Sequence, residues 1–583
     1  MSTALDGMPQ AALEAALGDP EDFACTSAAL DVAEDFPAEV CAQLDAFGLP
    51  AYYVPAEWGG ALDDHEQLIA LWRTVARRDV SAAVAHGKTY LGAAPVWDAG
   101  TPEQAAETAA AILASTPIAW ALSEPEHGAD LLNGGLTATA TGDGYRLDGT
   151  KWPINNATRG GRLTLLARTG EPGTARGHSL FVVDKAELAS GTWRNLAKAP
   201  THGIRGIDIS GIEFDGATLP AGALIGPAGS GIETVLRSLQ LTRIACGGLS
   251  LGAGEHGLRL VARFTAERII QRRPLIDRAY PGSILARCAA LLAAAEAATL
   301  LGARSIHSLT GELSVTSAVV KSLAPTLVDA LLGELSELLG VRSYLTGTYE
   351  HGAFQKIWRD HQVVAVFDGS TPVNRSGLAQ QFPRLARALE AGDVDTGGLA
   401  EAVASGTPLR PLDRAGQSLL SRRGCSLVQS LPALAESLTA NGAPDGLAEH
   451  AAALSATARR LGALMAEVRP AARPPMPAYE LAAAYELCYA GAAVLHLWVH
   501  GSAGHRGEPL WQDGLWVRAA LRALRTRLAA ALRTPAPDPA PGDDRIDAAL
   551  SRHIAEAAET GAPVTPFGAP LPLSAVRSEG APA

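Results

Sequence analysis

Aromatic residues are scarce in this chain of 583 residues, at 5%, and charged residues make up only 19%. Cysteine is rarer still. Cys25, Cys41, Cys246, Cys288, Cys425 and Cys488 are scattered, with no CxxC pair. That scatter argues against a disulfide framework or a zinc site and fits buried thiols in a reducing compartment. No run of 18 uninterrupted apolar residues occurs, so no membrane span is expected. The opening MSTALDGMPQAALEAALGDPEDF is acidic and has no basic stretch ahead of an apolar one. A secretory leader is therefore not expected, and a cytoplasmic location is. Positive charge is in deficit, with 48 Lys+Arg against 61 Asp+Glu and a net charge of -13. That balance argues against nucleic acid or an anionic membrane as the main partner. What the chain does have is a 47% apolar share, ordinary for globular proteins and enough for large cores. Its length corresponds to about four domain-sized units.

The texture changes along the chain. Residues 1–117 read as a helical domain, with Pro at a helix start in Phe36-Pro-Ala-Glu-Val and apolar residues at three-to-four spacing. Residues 118–230 switch to a period of two. Leu136-Thr-Ala-Thr-Ala-Thr, Leu163-Thr-Leu-Leu-Ala-Arg and Ser179-Leu-Phe-Val-Val-Asp read as strands of a small barrel or sandwich. Residues 231–391 return to long helices with short links, which predicts a four-helix bundle. Residues 392–583 are expected to be an additional helical domain, with a Pro-rich linker after Thr534 and a mobile tail over the last twenty or so residues. The fold class expected is α+β, mostly α.

Several motifs stand at the seams between these textures. They are Trp120-Ala-Leu-Ser-Glu-Pro-Glu-His-Gly-Ala-Asp130, Gly149-Thr-Lys-Trp-Pro-Ile-Asn-Asn156, the stretch Gly206 to Gly226, and Thr242-Arg243. Then come Arg268-Ile-Ile-Gln-Arg-Arg-Pro-Leu275, Glu337-Leu-Leu-Gly-Val-Arg-Ser-Tyr344, and Trp358-Arg-Asp-His-Gln-Val-Val-Ala-Val-Phe-Asp-Gly-Ser-Thr-Pro-Val-Asn-Arg375. In this order, over residues 30–385, they resemble the acyl-CoA dehydrogenase/oxidase flavoprotein family.

The resemblance implies FAD. The first motif is similar to L-T/S-E-P-x-A-G-S-D, which implies that Leu122, Ser123, Gly128 and Ala129 contact the flavin and its pyrophosphate. Hydroxyl and amide donors there stabilise the negative charge of reduced flavin. Ala129 replaces the usual Ser, which leaves its backbone alone to contribute. The second motif resembles G-x-K-x-W-I-T-N, with Pro153 at the aromatic position and Asn155 at the Thr that reaches flavin N5. Trp152 comes one place early, which in a strand turns its side chain to the other face. Gly206 to Gly226 reads as architecture. Arg243 is implied near the thioester, and Thr242 closes the route to a base at that position. Arg268 and Gln271, with Glu337 and Gly340, match loosely the family's cross-subunit cofactor contacts, which implies a homodimer or a dimer of dimers.

The last motif resembles R-D-A-x-x-x-x-I-Y-E-G-T-x-E-I-Q-R. Asp368 holds the position of the Glu that removes the thioester's α-proton, flanked by Phe367 and Gly369 on the substrate side. Ser370 corresponds to a hydroxyl near the adenosine end of FAD. Asp is one methylene shorter than Glu, so its reach falls by roughly 1.5 Å. Either the backbone shifts to compensate or proton abstraction weakens. The leading expectation is an FAD-dependent desaturase of an acyl thioester on CoA or an acyl carrier protein, passing electrons to an electron-transfer flavoprotein. The alternatives are an oxidase using O2, which the surplus C-terminal residues favour, a flavin monooxygenase on the same fold, and a flavin-less partner protein. No metal is expected. Arg272, Arg273 and Arg278 are candidate contacts for an acidic carrier.

Overall fold

The structure is a computed structural model that describes residues 9–571, apart from 442, 445, 502–503, 506 and 539–541. The expected mobile tail therefore lies partly, from residue 572, outside the described residues, as does the middle of the Pro-rich linker. The chain folds as two compact units. One comprises residues 29–68 and 79–242, the other the described residues among 9–28, 69–78 and 243–571.

The first unit is built on one eight-stranded sheet. Its strands are β1 (Ile118–Ala121), β2 (Thr137–Ala140), β3 (Gly144–Asn155), β4 (Arg162–Arg168), β5 (His178–Asp184), β6 (Trp193–Leu196), β7 (Ile209–Pro220) and β8 (Leu224–Ile225). The order is β6-β7-β3-β2-β4-β5-β8, with β1 paired parallel to β4. Leu147, Leu163, Leu165, Phe181, Val183, Ile212 and Phe214 form its core. Each such side chain contributes about 1.5–3 kcal/mol through burial. The sheet's β4 is buried on both faces because the helix Val80–Ala99 packs against it and β1. A Cβ on Gly92 would stand 2.8 Å from the Ile118 carbonyl, so only glycine permits that approach. Thr164 Oγ1 then donates to the Gly92 carbonyl at 2.6 Å. The long β3–β7 ladder is interrupted between Lys151 and Ile154. Pro153 has no N–H to give the ladder, so the strand bulges there.

The second unit is helical. Gly247–Glu267, Ala279–Ser308 and Leu313–Leu339 pack on one another, and Thr371–Ala391 lies along Leu313–Leu339. Glycines set the closest approaches. A Cβ on Gly302 would meet Val320 Cγ2 at 2.8 Å. The most apolar stretches of Ala279–Ser308, Thr310–Ser343 and Met476–Gly501 are long enough to cross a membrane, yet more than four-fifths of each is buried inside the protein.

The compact units do not follow the four textures of the sequence. Helices beyond residue 392 belong to the same unit as the bundle: Met476–Gly501, Leu515–Ala531 and Asp543–Thr560 all pack on Ala279–Ser308. Residues 69–78 join that unit through buried ion pairs. Arg73 reaches Glu255 at 2.9 Å and Glu296 at 2.5 Å, and Arg77 reaches Glu255 at 3.0 Å. The described start of the expected mobile tail is anchored here. Thr565 Oγ1 donates to Glu296 at 2.7 Å, and Arg77 donates to the carbonyls of Ala569 and Pro570. Composition pointed to mobility, but buried guanidinium groups need acceptors and these carbonyls supply them.

Glu312 is another buried acid of this unit. Its carboxylate accepts from Ser426 Oγ at 2.6 Å and Ser426 N at 2.8 Å. Burial pushes its pKa up to about 7 despite those donors. The folded state therefore holds a proton that the unfolded chain releases above its ordinary value of 4.5. Stability falls as pH rises from that value through about 7, by on the order of 3 kcal/mol. The expected outcome is that Glu312→Gln flattens the fall in Tm across this window, measured by scanning calorimetry. An unchanged slope would refute it.

Candidate active site

In the helical unit, the segment Phe367–Ser370 links a short helix, Gln362–Ala365, to the helix Thr371–Ala391. Asp368 has φ +54° and Gly369 φ +94°. A non-glycine residue rarely stands there. Asp tolerates the left-handed region better than most side chains, at a cost of about 1 kcal/mol or more. The segment is pinned through its carbonyls. Arg243 Nε donates to the Asp368 carbonyl at 2.8 Å. Lys321 Nζ donates to Val364 O at 2.6 Å and Gly369 O at 3.2 Å. Asn374 Nδ2 donates to Gly369 O at 2.8 Å and Ser370 O at 3.0 Å. The Lys321 ammonium also lies 5.3 Å from the centre of the Phe367 ring.

Arg243, Phe367, Asp368, Gly369 and Ser370 are thus brought together. Burial draws the Arg243 guanidinium down to about 10, opposed by the nearby Asp368 and, after it, Cys246. It stays cationic at neutral pH. A Cβ on Gly369 would stand 2.7 Å from Arg243 Nη2. The space beside this glycine, expected to admit a thioester, is taken by the guanidinium. Sequence reasoning missed Lys321, Asn374 and Cys246, whose Sγ lies 3.8 Å from Asp368 Oδ2. A lysine in the middle of an apolar helix was the available signal for Lys321.

Arg268, Gln271, Glu337 and Gly340 lie elsewhere in this unit. Arg268 and Gln271 sit at a small exposed hairpin of Ile269–Ile270 with Arg273–Pro274. Gln271 accepts from Arg278 at 3.0 Å, and Glu337 accepts from Tyr280 at 3.4 Å. None of the four bonds to the Asp368 segment among the described residues. Gly340 stands at φ +59° just beyond Leu339.

In the sheet unit, Leu122, Ser123, Gly128 and Ala129 occupy the turn after β1. Its anchor is a buried ion pair, Lys151 to Glu124 at 2.8 Å. Lys151 Nζ also donates to Leu122 O at 2.9 Å, and Glu124 accepts from the amides of Gly135 at 2.6 Å and Leu136 at 3.2 Å. The Trp152 amide donates to Ser123 O at 3.0 Å, which joins the turn to the bulge at Pro153. Burial pushes the Glu124 carboxyl up, but Lys151 and the two amides outweigh it and hold the group below its ordinary value. Neither Glu124 nor Lys151 was singled out from sequence, although both stand inside the quoted motifs.

The turn beyond this anchor is open. The amides of Gly128 and Ala129 make no hydrogen bond among the described residues, and a Cβ on Gly128 would meet nothing within 4 Å. Asn155 Nδ2 reaches Val84 O only at 3.5 Å, while its Oδ1 is buried without a partner. Exposed amides in this turn, and a buried amide side chain in the same unit, fit the polar edge of a flavin and its phosphates. Among the described residues no cluster of His, Cys, Asp or Glu could hold a metal.

A sheet unit with an open amide turn, and a helical unit presenting a carbonyl-pinned carboxylate, define a flavin-dependent dehydrogenase architecture. The chain belongs to the acyl-CoA dehydrogenase family. It matches that family's N-terminal domain over residues 21–115, its middle domain over 119–217 and its C-terminal domain over 229–382. Its members are FAD-dependent oxidoreductases acting on CH–CH bonds, and so is this chain. It is 26% identical over 365 residues to a Mycobacterium leprae protein named "Probable acyl-CoA dehydrogenase fadE25", covering 62% of this chain and 92% of that one. The crystal structure of an acyl-CoA dehydrogenase complexed with FAD from Bacillus anthracis superposes with a TM-score of 0.65 at 16% identity, covering 92% of this chain and 95% of the other. The prolyl acyl carrier protein oxidase AnaB has the same fold, with a TM-score of 0.58 at 18% identity, covering 64% of this chain and 98% of its own.

Replacing Lys151 by Met strands the Glu124 carboxylate. A broken buried pair costs about 3–5 kcal/mol. Lys151→Met is expected to lower Tm and lose the yellow flavin on gel filtration, and adding Glu124→Gln to recover part of the stability. A single variant as stable as wild type would contradict the role of the pair.

Proposed function

We propose that this chain desaturates an acyl thioester at Cα–Cβ, with Asp368 as the base that takes the α-proton. The observation that supports it is the Phe367–Ser370 segment. Arg243, Lys321 and Asn374 donate to the carbonyls of this stretch and fix the backbone that carries the carboxylate. Proton removal breaks the Cα–H bond, and its electron pair forms the double bond as hydride leaves Cβ. Bound FAD supplies the two-electron acceptor for that hydride. In the sheet unit, Leu122, Ser123, Gly128, Ala129, Pro153 and Asn155 would hold it; in the helical unit, the Ser370 hydroxyl does not cap its own helix. The missing methylene of Asp368 is offset by the left-handed backbone, which turns the side chain from the direction a helical or extended residue would give it. Arg243 keeps a positive charge beside the segment.

The reaction acts on a CoA thioester, and an electron-transfer flavoprotein takes the electrons. A homodimer completes the flavin site through Arg268, Gln271, Glu337 and Gly340. The fold shared with the AnaB oxidase supports a second reading, in which the thioester sits on a carrier protein and O2 is the acceptor. Stoichiometric peroxide release separates the two.

Asp368→Asn fits the same backbone and removes the base. It is expected to keep bound FAD and to slow anaerobic bleaching by butyryl-CoA, octanoyl-CoA or prolyl-carrier protein by on the order of a thousandfold. Asp368→Glu is expected to retain bleaching. A wild-type protein that takes up no FAD, or an Asp368→Asn variant that bleaches normally, overturns the assignment.

A further inference from the structure

The helix Gly231–Ala245 passes into Gly247–Glu267 at Cys246, which keeps helical dihedrals of φ -59° and ψ -20°. Two glycines seat this junction. A Cβ on Gly247 would stand 2.6 Å from Thr299 Cγ2, and one on Gly248 would stand 2.7 Å from the Ile69 carbonyl. The junction is thus pressed against Ala279–Ser308 and the residue that opens the 69–78 segment, with little room to shift. Cys246 itself is 1% exposed. Arg243 stands three residues before it, on the same helical face. Both side chains reach one residue. Arg243 Nε donates to the Asp368 carbonyl oxygen at 2.8 Å, and Cys246 Sγ donates to Asp368 Oδ2 at 3.8 Å.

The two contacts do different things. The guanidinium fixes the backbone, which stands at φ +54°. It does not set the carboxylate, whose terminal torsion is broad and two-fold. A donor on one carboxylate oxygen narrows that torsion. A thiol is a weak donor, but a base needs direction as well as affinity, and proton transfer depends steeply on where the reacting atoms sit. Filling space accounts for a buried cysteine, which packs as a small apolar side chain. It does not account for a sulfur at hydrogen-bonding distance from the carboxylate that the reaction uses.

We propose that Cys246 is a positioning residue for the reaction, its thiol aiming the Asp368 carboxylate at the α-proton of the substrate. The proposal rests on Asp368 acting as the base. The thiol keeps its proton throughout, and the proton from Cα goes to the carboxylate. An Asp has one torsion fewer than a Glu, so it has fewer ways to correct a poor aim. A neighbour that sets the last torsion therefore matters more here than it would beside a Glu.

The test uses the FAD-loaded full chain, mixed anaerobically with butyryl-CoA or octanoyl-CoA over a range of concentrations. Cys246→Val keeps an apolar side chain and removes the donor. It is expected to bleach on the order of tenfold more slowly at saturation, with a half-saturating concentration within about twofold of wild type and an unchanged Tm. Cys246→Ser keeps a donor and is expected to recover most of the rate. Packing alone gives the opposite order, because a buried site made for an apolar side chain accepts Val better than Ser. A Val variant that bleaches like wild type, or a Ser variant slower than Val, overturns the proposal. A readout without turnover stands beside these. In FAD-loaded protein without substrate, the Cys246 S–H stretch, identified by its loss in Cys246→Ser, is expected to move to higher frequency in Asp368→Ala. A stretch indifferent to Asp368 overturns the proposal on its own. A wild type that bleaches with neither thioester, while the stretch responds to Asp368, overturns the desaturation reading and leaves the thiol contact standing.

Discussion

Donors aimed at carbonyls hold the Asp368 segment, and the chemistry depends on that choice of target. Arg243, Lys321 and Asn374 all donate to main-chain oxygens between Val364 and Ser370. Two successive left-handed residues would not persist unless their surroundings over-determined them. A buried ammonium and a guanidinium over-determine these. Carbonyls that a short helix end leaves unsatisfied meet cations that need acceptors.

The sheet unit solves a similar problem with one pair of charges. Glu124 and Lys151 gather the turn after β1, the bulge in β3 and the start of β2 around a single buried contact. The turn beyond can then expose its amides without collapsing.

Much of this was legible from periodicity and motif order. The period of two through Leu163 to Arg168 gave β4, and the motif ending at Arg375 singled out Asp368. What the chain's one-dimensional order hides is partnership across long separations. Lys321 is 48 residues from Gly369, and Arg73 is 223 from Glu296. A buried Lys or Arg reads as a solvated charge until its acceptors are known. The bulge at Pro153 was hidden for a different reason. A one-residue irregularity changes which face Trp152 and Asn155 present, and alternation alone does not reveal it. The helices after residue 392 carried no motif because their role is contact. Arg375, on the helix that begins beside Ser370, pairs with buried Glu486 of Met476–Gly501 at 2.8 Å. The surplus residues thus brace the helix from which the Asp368 segment emerges, and the Bacillus anthracis fold shares them.

The acid–arginine network around Arg73 and Arg77 also constrains how the chain comes into being. Its members run from Glu14 through Glu255 and Glu296 to Thr565 and Pro570. During synthesis the early arginines and glutamates exist long before the residues that complete their shell. Emerging domains begin to fold as the chain grows, but this core has to wait until residues 565–570 have been made. Those residues act as a keystone, and the helical unit reaches its final packing only once they have emerged.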